Sequence, residues 1–162
     1  MSEHPIAQKI IDELEKYSMW YEAFEHAIVR TSEEANAVRD GYTIKQGTKA
    51  LIVRVKVRGE GKQFVMIVVP GDKRFHAKKA KDVLNAKDLR FANEDEVHEL
   101  TGAVKPGGVP PFGNLFDLKV VCDPSVFDED KLIFNAGRNY SIGMMSKDYR
   151  TLVQPQLEHI AE

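Results

Sequence analysis

The sequence has one cysteine in 162 residues, so it can form neither an internal disulfide nor a cysteine-rich metal cluster. It also lacks a long apolar run, because the longest, from Phe64 to Val69, is far too short to span a bilayer. Charged residues such as Lys9 and Asp12 occur early, which does not fit a secretory signal peptide. We therefore expect a soluble protein with a cytoplasmic location and no membrane partner.

An excess of charge of either sign is lacking as well. The 23 Lys and Arg residues are balanced by 25 Asp and Glu residues, which gives a formal net charge of -2. This balance argues against a protein that wraps long nucleic acid, but it leaves room for a local basic patch and a small RNA footprint. With 43% hydrophobic residues the composition is ordinary for a globular protein, and we expect residues 1–162 to form a single domain.

Hydrophobic periodicity predicts an α+β fold. Apolar and basic residues alternate from Val53 to Arg58, as in a strand, and the continuously apolar segment from Phe64 to Val69 predicts a strand buried on both faces. We expect a mixed, mostly antiparallel curved sheet or barrel flanked by helices. The other predicted elements are helices over 5–17, 31–41, 77–84 and 93–102, strands at 89–91, 118–122, 132–134 and 140–144, and a last helix that Ser146 caps and Pro155 bends or restarts.

A lysine follows a glycine turn at the start of the first long strand. The segment Gln46-Gly47-Thr48 leads directly to Lys49, whose ammonium group could there meet a phosphate or polarise an ester. The alternative is a solvated lysine at a strand end, which the spacing alone favours.

Two further segments are candidates for a ligand site. Gly107 and Gly108 lie in a loop rich in glycine and proline, where bare backbone N–H groups can approach a ligand and the prolines hold them in place. A plain connecting loop uses the same residues, so both interpretations stay open. The segment from Phe134 to Asn139 is a hairpin tip with amide and guanidinium groups, although Asn and Gly also form hairpins for structural reasons alone.

Taken in this order, these segments resemble the YbaK family, also called the prolyl-tRNA-synthetase-associated editing domain. The resemblance extends from about Tyr21 to the end of the last helix. It is carried by Thr-Ser-Glu-Glu-Ala at 31–35, by the lysine of Gly-Thr-Lys-Ala-Leu at 47–51, by Thr-Gly at 101–102, and by a loop ending in Pro-Pro-Phe-Gly, in which the family's G-x-x-x-P signature falls at 107–111.

The resemblance implies a free-standing hydrolase that removes the wrong amino acid from aminoacyl-tRNA in trans, with no cofactor and no metal. Its implied partners are the tRNA acceptor end and, as a further candidate, an aminoacyl-tRNA synthetase. It implies that Lys49 positions the terminal adenosine and that Gly107 and Gly108 offer N–H groups to the substrate carbonyl. Asn135 stands where several relatives carry a histidine, and because an amide cannot shuttle a proton, we expect substrate-assisted attack by water.

The remaining candidates have weaker support. Pro111 belongs to the signature, His26 lies near a family-like segment, and Asp123 either fixes the site by a hydrogen bond or starts the turn at Pro124. The five histidines are scattered, so we expect no metal site. Cys122 ends a predicted core strand, which favours an inert buried thiol. The densest basic cluster could bind acceptor-stem phosphates or form a solvated face, and it contains Lys73, Arg74, Lys78, Lys79 and Lys81.

Two other functions remain open from the sequence. A non-catalytic module of the same fold would hold a tRNA end or a nucleotide without hydrolysis. A small hydrolase of another activated ester would turn over its substrate without any response to tRNA.

Overall fold

The computed structural model describes residues 4–29 and 31–162, and it confirms the predicted α+β class. The helices are α1 (Pro5–Lys16), α2 (Ser32–Ala37), α3 (Ala77–Leu84), α4 (Glu94–Thr101) and α5 (Ser146–Val153). The strands are β1 (Tyr21–Glu25), β2 (Thr48–Val57), β3 (Gly61–Pro70), β4 (Ala86–Phe91), β5 (Lys119–Cys122), β6 (Lys131–Asn135), β7 (Tyr140–Met145) and β8 (Gln156–Leu157). Turns of 3₁₀ helix at Gly113–Phe116 and Pro124–Phe127 flank β5.

The strands of the described residues form two separate sheets. The larger sheet has the order β4-β2-β3-β5-β8, in which β5 runs parallel to β3 and β8 while the other pairs are antiparallel. The smaller sheet, β1-β7-β6, is antiparallel throughout. The prediction of mixed, mostly antiparallel strand pairing is confirmed. The alternative of a closed barrel is wrong, because no continuous ladder joins the two sheets in this part of the chain.

The two sheets meet at the beginning of β2. Gly47, just before β2, forms an isolated parallel bridge with Ile133 of β6, and the Ile133 N–H donates to the carbonyl oxygen of Gln46 at 3.0 Å. This contact brings the start of β2 close to the end of β6. Segments that are far apart in the sequence therefore border the same space.

The hydrophobic core lies on both faces of the larger sheet, with β3 in its centre. Met66 and Val68 pack on one face with α1, α5 and the smaller sheet. Val65, Ile67 and Val69 pack on the opposite face, where Ala80 of α3 and Ile160 cover them. All five of these β3 residues are almost completely buried, so the prediction of a strand buried on both faces is confirmed.

Local sequence signals account for most helix ends. Asn93 and Glu96 form the reciprocal hydrogen bonds of a capping box at the start of α4, and Gly102 ends that helix in a left-handed conformation. The Thr31 side chain accepts from the Glu34 N–H at the start of α2. Tyr17, the last residue of the helix predicted over 5–17, lies just after the end of α1 and is 52% exposed.

The end of the chain differs from its prediction. Ser146 is not the N-cap of α5, because its hydroxyl donates to the carbonyl oxygens of Glu129 and Asp130 at 2.6 and 3.1 Å. After Pro155 the chain forms β8 beside β5 instead of a second helix. Over the described ranges, the helices are too short or too polar for any of them to cross a membrane.

Candidate active site

A cavity of about 220 Å³ lies where the two sheets meet. Its walls come from α2, the start of β2, the loop between α4 and β5, and the end of β6. Three residues predicted from separate sequence segments line it, namely Lys49, Gly107 and Asn135. Among the described residues, no Asp, Glu, His or Cys lines this cavity.

Lys49 is the second residue of β2 and pairs with Val69 of β3. Burial lowers the pKa of its ammonium group; the carboxylates of Glu33 and Asp72 oppose this shift, while Arg74 adds to it. Within the described ranges, no carboxylate lies at ion-pair distance from Lys49. A partly desolvated cation of this kind can bind a phosphate or a polar oxygen of an incoming ligand.

The loop between α4 and β5 is held rigidly against the β6–β7 turn. Gly107 lines the cavity with a φ of +88°, a conformation that favours glycine. Three hydrogen bonds fix the loop: Asn135 Nδ2 to Gly107 O at 3.0 Å, Gly137 N to Gly108 O at 2.7 Å, and Arg138 Nε to Pro106 O at 2.9 Å. The loop is therefore preorganised without a ligand.

The two glycines of the loop differ in what their backbones can offer. The Gly108 N–H already donates to the carbonyl oxygen of Lys105 at 3.0 Å. A Cβ at position 108 would lie 2.8 Å from the Arg138 nitrogen, so glycine is required there for close packing. The Gly107 N–H has no acceptor among the described residues. Gly107, and not Gly108, is the donor that remains available to a ligand.

Arg39 is a cavity residue that the sequence did not identify. It follows α2 and is only 7% exposed. Its Nε donates to Ser141 Oγ at 3.1 Å, and its Nη2 donates to Asn135 Oδ1 at 2.7 Å. Burial lowers the pKa of Arg39 to about 10, so the guanidinium stays charged at neutral pH. The only sequence signal was an arginine just before Asp40 and Gly41, which is typical of an exposed helix end.

His26 lies behind the cavity and not in its wall. Its Nδ1 is 2.7 Å from the carbonyl oxygen of Ala27 and therefore donates to it. Its Nε2 is 2.8 Å from Ser141 Oγ, and the same hydroxyl lies 3.1 Å from Asn135 Oδ1. Among the described contacts, the hydroxyl of Ser141, which is not a lining residue itself, links His26 to the cavity residues Arg39 and Asn135.

Two other predicted substrate-binding residues lie away from the cavity. The Pro111 carbonyl accepts a hydrogen bond from the buried Tyr149 hydroxyl at 2.6 Å. Asp123 is 3% exposed, and its carboxylate accepts from the Ile160 and Ala161 N–H groups and from Ser125. The structure therefore supports the turn-starting alternative for Asp123, with an additional role in holding the C-terminal segment.

The predicted basic cluster follows the cavity residue Gly71 in the sequence and continues onto α3, but none of its residues lines the cavity. Gly71 lines the cavity, and Arg74 is close enough to Lys49 to influence its pKa. Arg74, Lys78 and Lys79 are exposed, although Lys79 Nζ lies 3.6 Å from a Glu162 carboxylate oxygen. A face of this kind can contact a ligand that extends beyond the cavity.

The predicted burial of Cys122 is confirmed. The thiol is fully buried, and burial together with the neighbouring Asp123 carboxylate raises its pKa. Such a thiol is unreactive. Over residues 4–29 and 31–162, no group of three or more Asp, Glu, His and Cys side chains is placed to hold a metal ion.

Comparison with known proteins assigns the family. The family model for the aminoacyl-tRNA editing domain matches residues 26–152. The multifunctional Ser/Thr-tRNA deacylase ProXp-y of Escherichia coli (strain K12) is 32% identical over 152 residues, covering 93% of this chain and 89% of that protein. The proline--tRNA ligase of Lactobacillus gasseri is 42% identical over 64 residues, or 40% of this chain and 11% of the ligase. A crystal structure assigned to a trans-editing enzyme for prolyl tRNA synthetase has a TM-score of 0.81 at 26% identity and covers 99% of both chains.

The family match covers the segments that line the cavity, including Lys49, Gly107 and Asn135. It also agrees with the resemblance and the deacylase class predicted from the sequence. The chain therefore belongs to the aminoacyl-tRNA editing domain family.

Proposed function

We propose that the chain acts as one free-standing domain that hydrolyses the ester of mischarged aminoacyl-tRNA inside this cavity. The observation that carries the proposal is the pairing of a half-buried ammonium group, Lys49, with the rigid glycine loop at Gly107 around a single cavity. The family assignment supports ester hydrolysis as the reaction. In this proposal Lys49 holds the terminal nucleotide, and the Gly107 N–H faces the ester carbonyl.

The hydrolysis needs no protein nucleophile, because an aminoacyl ester is already activated. A water oxygen attacks the carbonyl carbon, and the electron pair of the carbonyl bond moves onto the carbonyl oxygen. When the tetrahedral intermediate collapses, the ribose oxygen leaves and takes up the proton that the water loses. The products are the free amino acid and a tRNA with an intact terminal ribose.

The substrate itself supplies the proton transfer in this mechanism. No described residue that lines the cavity offers a carboxylate, imidazole or thiol as a general base, and in this proposal Lys49 acts as a charged group that binds the terminal nucleotide. The vicinal ribose hydroxyl can orient the water and relay its proton. Positioning of the water and stabilisation of the oxyanion then account for the rate.

We propose that the amino acid removed from the tRNA is serine or threonine. The Escherichia coli relative is named a Ser/Thr-tRNA deacylase. The cavity here is small, and Thr31, Thr43 and Thr48 line it. Asn36 also lines the cavity, and its buried Oδ1 has no hydrogen-bond donor among the described residues. Because an unsatisfied buried acceptor is costly, this oxygen would favour a substrate that brings a hydroxyl group.

The acceptor end of the tRNA would continue from the cavity over the basic cluster. Lys73, Arg74, Lys78 and Lys79 follow the cavity residue Gly71 and could contact backbone phosphates. The likeness to part of a proline--tRNA ligase supports an aminoacyl-tRNA synthetase as a further partner.

A deacylation panel tests this function. Purified protein is incubated with tRNA charged with serine, threonine, alanine or cysteine, and the release of free amino acid is measured against the spontaneous rate. We expect release from the seryl and threonyl esters first. Release from none of them, together with tight tRNA binding, would select the non-catalytic module. Turnover of a free ester without any effect of tRNA would select another esterase.

A further inference from the structure

Arg39 is a buried cation with no anionic partner in the part of the chain that the structure describes. Its hydrogen bonds in the described structure go to two neutral acceptors, Ser141 Oγ and Asn135 Oδ1. No carboxylate of the described residues lies within ion-pair distance of its guanidinium. A buried charge without a counter-charge is strongly unfavourable in a folded protein, so its presence calls for a ligand or a catalytic role.

The guanidinium also has donor capacity to spare on the cavity side. Its Nη1 makes no hydrogen bond within the described ranges, and it lies next to Gly47, where a Cβ would approach to 3.3 Å. Gly47 and Arg39 both line the cavity. The glycine therefore leaves open the space beside Nη1.

One amide couples Arg39 to the loop that faces the ester. Asn135 accepts from Arg39 through Oδ1 and donates through Nδ2 to the Gly107 carbonyl. The hydroxyl of Ser141, which accepts from Arg39 Nε, also lies 3.1 Å from Asn135 Oδ1. Asn135, which also lines the cavity, therefore links the guanidinium of Arg39 to the backbone of the Gly107 loop.

We propose that Arg39 is a catalytic residue, whose Nη1 donates to the ester carbonyl oxygen and stabilises the oxyanion that forms there. The proposal rests on the deacylase function proposed above. An aminoacyl ester carries no carboxylate, so the negative charge that develops at the reacting carbonyl is the oxyanion. A positive charge held in a dry wall stabilises that species far more than the neutral ground state.

A phosphate of the terminal nucleotide is the other anion that Arg39 could bind, and the two roles predict different results. A phosphate contact is equally strong in the ground state and the transition state, so its loss raises KM. A contact with the carbonyl oxygen becomes much stronger when the oxyanion forms, so its loss mainly lowers kcat.

The test compares Arg39→Lys and Arg39→Gln with Arg58→Gln, an exposed arginine outside the cavity wall. We expect both Arg39 variants to lose about 10²–10³-fold in kcat with KM nearly unchanged, and Arg58→Gln to behave as wild type. Added guanidinium chloride should restore part of the activity of Arg39→Ala. Full kcat in both Arg39 variants, or a loss confined to KM, overturns the proposal.

Two analogues of the charged terminal adenosine give an independent readout. An amide analogue keeps a neutral planar carbonyl, whereas a phosphonate analogue carries a tetrahedral anion. Wild-type protein should bind the phosphonate at least about 10²-fold more tightly, and Arg39→Gln should lose that preference while keeping its affinity for the amide. Equal affinities in the wild type overturn the proposal even if the variants fold poorly. If no aminoacyl-tRNA is hydrolysed at all, the deacylase function itself is wrong.

Discussion

At the scale of single residues, the cavity is defined by polar groups whose hydrogen bonding is incomplete. Among the described residues, the buried Asn36 Oδ1 atom has no donor, and the N–H of Gly107, which is an exposed residue, has no acceptor. Elsewhere in folded proteins nearly all buried polar groups are satisfied. A polar ester substrate in the cavity could supply a donor to the Asn36 oxygen and an acceptor to the Gly107 N–H.

Asn36 provides a prediction on substrate choice. In Asn36→Leu the acceptor is removed, so the preference for a hydroxyl side chain should fall by about 10-fold or more. The substitution removes no side-chain hydrogen bond seen in residues 4–29 and 31–162, so the melting temperature should stay near the wild-type value. The ratio of kcat/KM for seryl-tRNA to that for alanyl-tRNA measures the effect, with the alanyl ester as the internal control. An unchanged ratio would show that Asn36 does not contact the amino acid.

The sequence identified some of these residues and not others for a physical reason. Lys49 and Gly107 stand in local patterns, a strand start and a glycine-rich loop, that are visible along the chain. Arg39 depends on hydrogen bonds to Asn135 and Ser141, which tertiary packing brings to it from about a hundred positions away. No local pattern around Arg39 indicates such partners.

At the scale of elements, the hairpin turn after β6 and the loop after α4 form one unit. The Gly108 position has no space for a side chain because the loop lies directly on the turn. This explains why consecutive glycines occur there. The first provides a left-handed conformation and an available N–H, and the second allows close packing. The sequence suggested the same role for both glycines, because it does not show that the loop packs against the β6–β7 turn.

Asp123 anchors the C-terminal segment to the larger sheet, and it predicts a pH effect on stability. Although burial opposes ionisation, hydrogen bonds from Ser125, Ile160 and Ala161 lower the pKa of this carboxyl. A carboxyl whose pKa is lowered on folding stabilises the protein above its unfolded pKa, and this contribution is lost as the pH falls toward the folded pKa. Asp123→Asn should therefore lower the free energy of unfolding by about 2–3 kcal/mol at pH 7.

Urea unfolding between pH 3 and 7 measures this effect. The difference between wild type and Asp123→Asn should shrink below about pH 4, where the unfolded carboxyl becomes protonated. Asp128→Asn, an exposed carboxylate in an ion pair with Lys45, is the matched control and should change stability little. Parallel pH profiles of wild type and Asp123→Asn would exclude the anchoring role of the ionised carboxylate.

At the scale of the whole molecule, the site exists because the start of β2 in the larger sheet lies beside β6, an edge strand of the smaller sheet. The bridge between Gly47 and Ile133 places the start of β2 beside the end of β6, and the cavity opens at that junction. Periodicity predicted most strands and helices, because each depends on its own residues. It did not predict that the sheets stay separate or that β8 follows Pro155, since both features depend on which distant strands pair in the folded protein.

A comparison of Lys49 with Lys45 tests most directly whether this cavity is the active site. Lys49 lines the cavity without an ion-pair partner in the described structure, whereas nearby Lys45 lies outside the cavity wall and contacts Asp128 at 3.6 Å. We expect Lys49→Met to lose about 10²-fold or more in kcat/KM for mischarged tRNA. Its melting temperature should be equal to or above that of wild type, because a partly desolvated charge is removed. Lys45→Met should keep wild-type activity. Equal activity of the two variants would contradict an active site at this cavity.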